Sequence, residues 1–408
     1  MLTRRSLIKA ALLSGSGLAL DFAGFPWTAL PQPGQKNPFA GGKQLGTVDF
    51  LNEPPVALEA PQGSELDGRL YTDLSMLEAS DGAVTPSERF YIRTRASELL
   101  PDPASWQLKL GGQVKLARQM KLGEQAKLGG PVERPLSLAI ESLKKTAKPM
   151  GAHLMECAGN VRLARFGLLS VGSWGGIPVP EILEHAKAKP AAARVLVSGF
   201  DRYAHESRTS VPGASWIFTR GQLEKAGAFL ATELNGQPLA RDHGAPVRLV
   251  VPGWYGCTCI KWVNEITFVG EDAEATSQMR EYAARTEQKG APELAKDFQP
   301  AAIEQAAMPV RVEKWSVAGK IQYRVVGIAW GGTQPVKALQ IRFNPEEDYA
   351  PVDNFHQVKN DPWTLWTHDW SPKAPGTYAI RLSVKEPAVQ ARRLDSGYYV
   401  RSVEITEI

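Results

Sequence analysis

The sequence lacks several features on which large classes of protein depend. Three cysteines in 408 residues are too few for a disulfide-stapled scaffold. The chain has no Cys-x-x-Cys-His segment to attach a c-type haem and no His-Glu-x-x-His segment to bind zinc on a helix. No apolar run reaches the ~20 residues of a membrane-spanning helix, which excludes a polytopic membrane protein.

The chain also has little net charge. Its 47 Lys and Arg residues stand against 43 Asp and Glu residues, which gives a formal net charge of +4. Because no basic stripe accompanies this small excess, a nucleic-acid-binding protein is not indicated. With 43% hydrophobic and 22% charged residues, the composition is that of a globular protein long enough for two or three domains.

The first 30 residues are typical of an export signal. Arg4 and Arg5 precede a short apolar stretch, Ala10 to Leu20, that two glycines dilute. A twin-arginine signal predicts that the protein folds, with any cofactor inserted, before export to the periplasm. The alternative is an amphipathic N-terminal helix. In both cases the stretch is too short for a stable membrane span.

Composition divides the rest of the chain into four regions. Residues 31–65 are rich in Pro and Gly, which predicts an extended leader, whereas residues 66–270 mix short apolar strands with modest helices. Residues 271–309 are polar and predict a linker with one helix. Residues 310–408 alternate at period two between turn signals, which predicts a small β-sandwich.

Individual elements follow from the apolar spacing. We expect strands at residues 90–95, 106–110, 194–199, 247–251 and 262–269. A helix is expected over residues 136–145, with Ser137 as its N-cap. Residues 111–128 repeat a Lys-Leu pair every six residues, which indicates a tandem-duplicated hairpin insertion. That insertion is either a dispensable surface arm or a docking site for a partner.

One cysteine lies in a segment suited to chemistry. Cys157 is followed by Ala-Gly-Asn, small residues that leave a thiol accessible, and Arg162 and Arg165 nearby would favour its thiolate. A lone cysteine is more often a buried small hydrophobe, and a thiolate is a nucleophile or a metal ligand. Since no His and Asn arrangement of a cysteine protease accompanies it, the ligand interpretation is favoured. A zinc site of Cys157, Cys259 and histidines lacks grouped ligands, and Cys257 and Cys259 are expected to be free.

A second segment, Asn235 to Trp262, is rich in Gly and Pro around a strand end. His243, Arg248 and Lys261 lie within it. Such a segment can hold a phosphate with side-chain charges and backbone N–H groups.

Three segments together resemble the sulfite oxidase family of mononuclear molybdenum enzymes. They are Glu156 to Asn160, Ser173 to Pro178 and Asn235 to Trp262, and the resemblance extends from about residue 66 to the C-terminus. It implies an α+β fold, in which a mixed α/β molybdopterin-binding domain precedes an immunoglobulin-like sandwich that often mediates dimerisation. It also implies molybdenum–molybdopterin as the cofactor.

The resemblance assigns roles residue by residue. Cys157 would be the thiolate ligand of molybdenum, a soft donor for a redox metal. The remaining catalytic residues would be Arg93, Arg162 and Arg401 as a cationic pocket for a small oxyanion, with Trp174 and Tyr282 beside it. The pterin contacts would be Tyr91, Ile92, Arg93, Thr94, Arg95, Asp201, His243, Arg248, Cys259, Ile260 and Lys261. Family members usually have Asn-His where Thr94 and Arg95 stand, so the local pterin contacts depart from the pattern.

The function implied is periplasmic oxidation of sulfite to sulfate. Because the chain has no haem motif, the electrons would pass to a separate c-type cytochrome or a haem subunit. One alternative is the molybdenum subunit of a thiosulfate-oxidising complex that acts on sulfur-bound intermediates. A methionine sulfoxide reductase and a non-catalytic binding subunit are the others; the C-terminal sandwich disfavours the first of these, and the joint presence of Cys157, Arg162, Trp174 and Tyr282 disfavours the second.

Overall fold

The protein is described by a computed structural model over residues 39, 41–78, 84–112, 136–185, 193–207, 210–353, 355–357 and 361–408. The predicted export signal, and the predicted insertion beyond Gly112, lie outside these residues. The fold is α+β, as predicted, with four β-sheets and short helices in the described residues. No helix in the described part of the chain is long and apolar enough to cross a membrane.

The elements are numbered in chain order. The strands are β1 (Lys43–Val48), β2 (Gln107–Gly112), β3 (Leu136–Ala139), β4 (Lys148–Glu156), β5 (Leu169–Pro178), β6 (Arg194–Gly199), β7 (Ser215–Thr219), β8 (Phe229–Leu234), β9 (Gln237–Pro238), β10 (Arg248–Val250), β11 (Val263–Val269), β12 (Ala306–Val317), β13 (Lys320–Trp330), β14 (Gln340–Arg342), β15 (Ala350–Pro351), β16 (Thr364–Trp370), β17 (Gly376–Ser383) and β18 (Arg401–Ile405). The α-helices are α1 (Ile140–Lys144), α2 (Val179–Glu184), α3 (Arg220–Lys225), α4 (Ser277–Tyr282) and α5 (Arg392–Asp395).

Two five-stranded sheets carry the region before residue 270. One has the order β10-β8-β5-β4 with β9 paired to β8, and the other has the order β3-β2-β11-β6-β7. The second sheet is mixed, because β2 and β11 are parallel. The alternation of Trp106, Leu108 and Leu110 is confirmed, since all three side chains are buried on one face. Both sheets contribute to the same large hydrophobic core.

Two four-stranded sheets make up the C-terminal region. Their orders are β1-β12-β13-β16 and β15-β14-β17-β18, and they share a second core that includes Val312, Tyr323, Trp366 and Ile380. Strand β1 comes from the Pro/Gly-rich leader and pairs with β12. The leader therefore completes a sheet formed by residues more than 250 positions later. The immunoglobulin-like description of this region stays a prediction.

The polar segment 271–309 is more than a connection. It carries the single predicted α-helix as α4, and Ala273, Ala275, Met279 and Ala283 are buried in the large core. Thr276 caps the start of the helix, and its side chain accepts a hydrogen bond from the N–H of Met279. This anchoring fixes Tyr282 at the end of the helix, close to the cavity described below.

Two of the predicted elements are wrong in detail. Residues 90–95 form no strand; Ile92 makes an isolated bridge to Leu70, because the neighbouring N–H of Tyr91 donates to the Ser170 hydroxyl instead. The segment expected to be one helix is divided between β3 and α1. Ser137 lies in β3, where Leu136 and Leu138 alternate along a strand paired with β2, and Ala139 is the N-cap.

Candidate active site

A cavity of about 130 Å³ is lined by residues between Leu66 and Tyr282. Its lining comes from loops and element ends distant in sequence: the segment around Tyr91, the end of β4, the loop after β6, the turn before β11 and helix α4. The predicted site residues on its lining are Tyr91, Ile92, Arg93, Thr94, Cys157, Asp201, His243, Arg248, Cys259, Ile260, Lys261 and Tyr282. The fold thus brings together residues that the sequence spreads over nearly 200 positions.

Cys157 lies directly after β4, on the cavity lining. Its Sγ accepts a hydrogen bond of 3.3 Å from the N–H of Gly159, and its own N–H donates to Leu168 O at 3.0 Å. The side chain is 4% exposed, so the accessible thiol predicted from the sequence is corrected to a buried thiol facing a cavity. Burial raises the pKa of Cys157, and Arg93 and Arg285 oppose that rise, where Arg162 and Arg165 had been expected to act.

Arg93 and Tyr282 face the same cavity as Cys157. Arg93 Nη2 donates to the Ser210 hydroxyl at 3.2 Å. Burial and the neighbouring Cys157 raise the pKa of Tyr282, while Arg93 lowers it. The phenol therefore stays protonated at neutral pH and is available as a hydrogen-bond donor.

His243 and Arg248 present buried polar atoms that have no partner among the residues the structure describes. His243 Nε2 donates to Phe90 O at 3.0 Å, while Nδ1 is without a partner. Burial lowers the pKa of His243 to about 4, and Arg248 and Lys261 add to that effect. The ring is neutral, so Nδ1 is an acceptor. Arg248 Nη1 donates to His243 O at 3.0 Å, and its Nε–H is a buried donor without a partner.

Lys261 completes this group of cofactor-binding candidates. Its ammonium donates to Asp242 O at 2.9 Å and to Thr94 O, and it lies 4.3 Å from the centre of the Trp262 ring. Burial lowers the pKa of Lys261 well below its usual range. An orphaned acceptor, an orphaned donor and a buried amine around one cavity fit a molybdopterin, whose pterin ring offers donors and acceptors and whose phosphate is anionic.

Arg95 does not take part in the lining, although the sequence predicted it there. Its Nε donates to Asp242 Oδ2 at 2.8 Å, and the other oxygen of Asp242 accepts from the N–H of Ala96. Thr94 does line the cavity. Of the two residues that replace the family's Asn-His pair, Thr94 therefore lies at the cavity and Arg95 contacts the carboxylate of Asp242.

Arg162 and Arg401 are not brought to the cavity, which corrects the predicted three-arginine pocket. Both converge on Glu53, a leader carboxylate whose side chain is 8% exposed. Glu53 Oε1 lies 3.3 Å from Arg162 Nη1 and 3.0 Å from Arg401 Nη2. A buried carboxylate requires compensating charge, and these two guanidinium groups supply it. Arg162 also donates to Val400 O.

Trp174 lies behind the cavity and not on its lining. Its ring makes an edge contact with Phe90 at 5.6 Å between centroids, and the Arg248 guanidinium lies 5.5 Å from the ring centre. Trp174 therefore supports two cavity-lining segments from beneath. Its role in this structure is to position Arg248 and Phe90, and contact with a substrate is not indicated.

Several lining residues were not predicted from the sequence. Cys257, Gln278 and Glu281 face the cavity, and the amide of Gln278 donates to Cys257 O. Cys257 and Cys259 are free, as expected. Cys257 had a weak signal, since it is one of only three cysteines in the chain, whereas nothing in the sequence distinguished Gln278 or Glu281.

Comparison with known proteins identifies the region around the cavity. The family described as "Oxidoreductase molybdopterin binding domain" matches residues 125–277. "Sulfite oxidase, mitochondrial" of Mus musculus is 27% identical over 349 residues, which cover 81% of this chain and 59% of that protein. The Drosophila melanogaster protein of the same name is 24% identical over 426 residues, which cover 95% of this chain and 63% of that protein. The chain spans about three fifths of the length of the curated relatives it matches.

A solved structure supports the fold over nearly the whole chain. The structure is similar to the crystal structure of the sulfane dehydrogenase SoxCD from Paracoccus pantotrophus, with a TM-score of 0.60 and 17% identity, covering 97% of this chain and 96% of that chain. At this identity the likeness concerns the fold alone. Together with the matched domain, the relatives and the cavity that contains Cys157, it leads to one assignment. The chain contains an oxidoreductase molybdopterin-binding domain and is similar to the sulfite oxidases, and its cofactor is molybdenum–molybdopterin.

Proposed function

We propose that this protein oxidises sulfite to sulfate and passes the electrons to a separate c-type cytochrome or haem subunit in the periplasm. The observation that carries the proposal is the meeting of Cys157, Arg93 and Tyr282 at one cavity that also presents the free acceptor of His243 and the free donor of Arg248. A thiol, a cation and a protonated phenol around one cavity suit an oxyanion undergoing redox chemistry at a metal.

The chain's own residues have separable tasks in this proposal. Cys157 ligates the metal, and His243, Arg248 and Lys261 hold the pterin. When bound, the cofactor supplies the two-electron oxidation of the substrate. Arg93 binds and orients the anion through charge-assisted hydrogen bonds, while Tyr282 donates a hydrogen bond on the substrate side and can carry a proton.

A direct assay tests the substrate and the acceptor separately. Molybdenum-replete full-length protein should oxidise sulfite with ferricyanide as acceptor and, in a second assay, with cytochrome c. Activity with ferricyanide alone would keep the substrate and remove the proposed cytochrome. No activity with either acceptor on protein of confirmed molybdenum content would overturn the sulfite proposal.

A second candidate is a molybdenum subunit that acts on sulfur-bound intermediates of thiosulfate oxidation. The pairing of Arg162 and Arg401 with Glu53 favours this candidate, because it leaves fewer cations for the substrate. A sulfur chain whose charge is lower or more remote needs fewer cations than free sulfite. The comparison that separates the two is kcat/KM for sulfite against kcat/KM for a peptide carrying a cysteine persulfide. A preference for the peptide would favour this second candidate.

The location is proposed from the twin-arginine segment at Arg4 and Arg5. Cell fractionation of a host expressing the full chain should find the protein in the periplasmic fraction. The Arg4→Lys, Arg5→Lys double variant should remain in the cytoplasm, because the export pathway reads the arginine pair. Equal periplasmic amounts of both proteins would contradict the proposed route.

A further inference from the structure

Arg162 and Arg401 pair with Glu53 and do not line the cavity. Another cation, Arg285, lies near Cys157. Arg285 follows α4 by three residues, in a single 3-10 turn, Ala284–Thr286. Two side chains hold this turn. Arg393 Nη2 donates to Arg285 O at 2.8 Å, and the hydroxyl of Thr286 donates to Tyr282 O at 3.0 Å. The backbone of Arg285 is therefore fixed relative to Tyr282.

The guanidinium of Arg285 lies against the Cys157 segment. Its central carbon is 5.4 Å from the centre of the Tyr282 ring. A Cβ placed on Gly159 would lie 3.2 Å from Arg285 Nη1 and 3.7 Å from the Cys157 sulfur. The guanidinium and the sulfur therefore both lie within 4 Å of the position that a side chain on residue 159 would occupy.

Arg285 differs from Arg162 in having its charge available. Arg285 is exposed, and among the described residues its guanidinium pairs with no carboxylate. Arg162 is committed to Glu53 and to Val400 O. A guanidinium without a carboxylate partner attracts an anion more strongly than one that already neutralises a buried carboxylate.

We propose that Arg285, together with Arg93, forms the cationic clamp that binds the substrate oxyanion beside Cys157, the role that sequence motifs give to Arg162. The inference rests on the proposed function and names a specificity-determining residue for it. Arg93 approaches from the Ser210 side of the cavity and Arg285 from the Gly159 side. Arg93 lines the cavity and Arg285 lies next to the Cys157 segment, and each guanidinium fork can donate paired hydrogen bonds to sulfite or sulfate oxygens.

The first experiment compares Arg285→Gln with the wild type, both as full-length, molybdenum-loaded protein. We expect kcat/KM for sulfite to fall by about ten- to hundredfold, with most of the change in KM. Arg285→Lys should recover part of the loss, since it keeps the charge and loses the fork. The matched control is Arg280→Gln, because Arg280 is exposed on the preceding helix α4 and pairs with Glu274; its kinetics should equal those of the wild type.

Arg162→Gln is the variant that separates this inference from the motif-based expectation. A loss for Arg162→Gln larger than that for Arg285→Gln would overturn the inference, as would an unchanged KM in Arg285→Gln. A change in stability explains neither result if the melting temperatures of Arg162→Gln, Arg285→Gln and the wild type agree.

A binding measurement keeps the inference testable if the sulfite proposal itself fails. The probe is sulfate, titrated into each full-length protein by calorimetry. If the wild type does not oxidise sulfite, sulfate binding that is lost in Arg285→Gln and kept in Arg280→Gln would still support the anion clamp. Sulfate binding that is equal in the wild type and Arg285→Gln, or absent from the wild type, would in that case overturn it.

Discussion

Two pairs of arginines differ in whether they contact a buried carboxylate. Arg162 and Arg401 share Glu53 at the junction of the leader, the catalytic region and strand β18. Arg93 and Arg285 face Cys157 without a carboxylate partner in the described residues. The first pair therefore holds the regions of the chain together, and the second is free to bind an anion. An arginine's role here follows from its nearest carboxylate more than from its distance to Cys157 in sequence.

The largest expected effect comes from replacing Cys157, the residue near which Arg93 and Arg285 lie. Cys157→Ser should leave a folded protein with turnover near zero, because a hard hydroxyl replaces the soft sulfur ligand. Sulfite oxidation and the melting temperature of the purified variant measure this. Cys257→Ser is the matched control and should retain far more turnover, since its thiol lines the cavity without being the assigned ligand. Wild-type turnover in Cys157→Ser would remove Cys157 from the metal.

The next effect concerns stability at the junction. Glu53→Gln removes the charge that compensates Arg162 and Arg401 while keeping the side chain's size. Because Arg401 is only 6% exposed, the uncompensated cation should cost about 3 kcal/mol in the free energy of unfolding. Denaturant titration measures this loss. Glu59→Gln, which breaks the more exposed pair with Arg89, should cost less than about 1 kcal/mol.

The two Glu53 results would sharpen the comparison in opposite ways. A Glu53→Gln protein that is destabilised and still oxidises sulfite at the wild-type rate would confine this arginine pair to the junction. A lower KM for sulfite in the same variant would mean that Arg162, once released from Glu53, can reach the substrate. An unchanged free energy of unfolding would contradict the structural role given to Glu53.

Much of the fold could be predicted from local patterns, because it depends on them. Strand β6 coincides with the predicted range, and β11 begins one residue later than predicted, since apolar alternation determines which face a strand buries. A helix was predicted over residues 136–139 because Leu138, Ile140 and Leu143 can share one helical face. The alternation of Leu136, Leu138 and Ile140 fits a strand equally well. The pairing with β2 decides between them, and pairing is not local information.

The motifs led to most of the residues on the cavity lining, whereas the partners that side chains find through packing could not be predicted from them. Cys157, His243, Arg248 and Lys261 lie in recognisable segments and all reach the cavity. Arg162 also lies in such a segment, but its partner Glu53 precedes it by 109 residues. Arg285 lies in no motif, and its link to the Cys157 segment runs through Arg393, which donates to both Ala158 O and Arg285 O.

The smallest expected effect concerns a second ionic contact between the catalytic and C-terminal regions, and unlike the Glu53 cluster it depends on pH. His153 on β4 lies 2.8 Å through Nδ1 from Asp361 Oδ2 and 2.8 Å through Nε2 from Met150 O. Both partners are acceptors, so both ring nitrogens donate and the ring is an imidazolium. Burial lowers the pKa of His153, but the hydrogen bond and charge of Asp361 outweigh burial and raise it above the usual 6.5.

The raised pKa of His153 in the folded state determines how its contribution to stability changes with pH. The stabilisation is fully present below the unfolded value near pH 6.5 and is lost as the pH rises through the higher folded value. His153→Gln should therefore cost about 1 kcal/mol in the free energy of unfolding at pH 5.5 and less at pH 9, as measured by urea denaturation at both. His185→Gln is the control, because His185 is exposed and its ring bonds to the carbonyl of Glu181, an uncharged partner in the helix that His185 caps, so its effect should be near zero at both pH values. A His153→Gln cost that is the same at pH 5.5 and pH 9 would mean that the ring is neutral in the folded protein. The contact between His153 and Asp361 would then not depend on pH and would not differ from the Glu53 cluster in this respect.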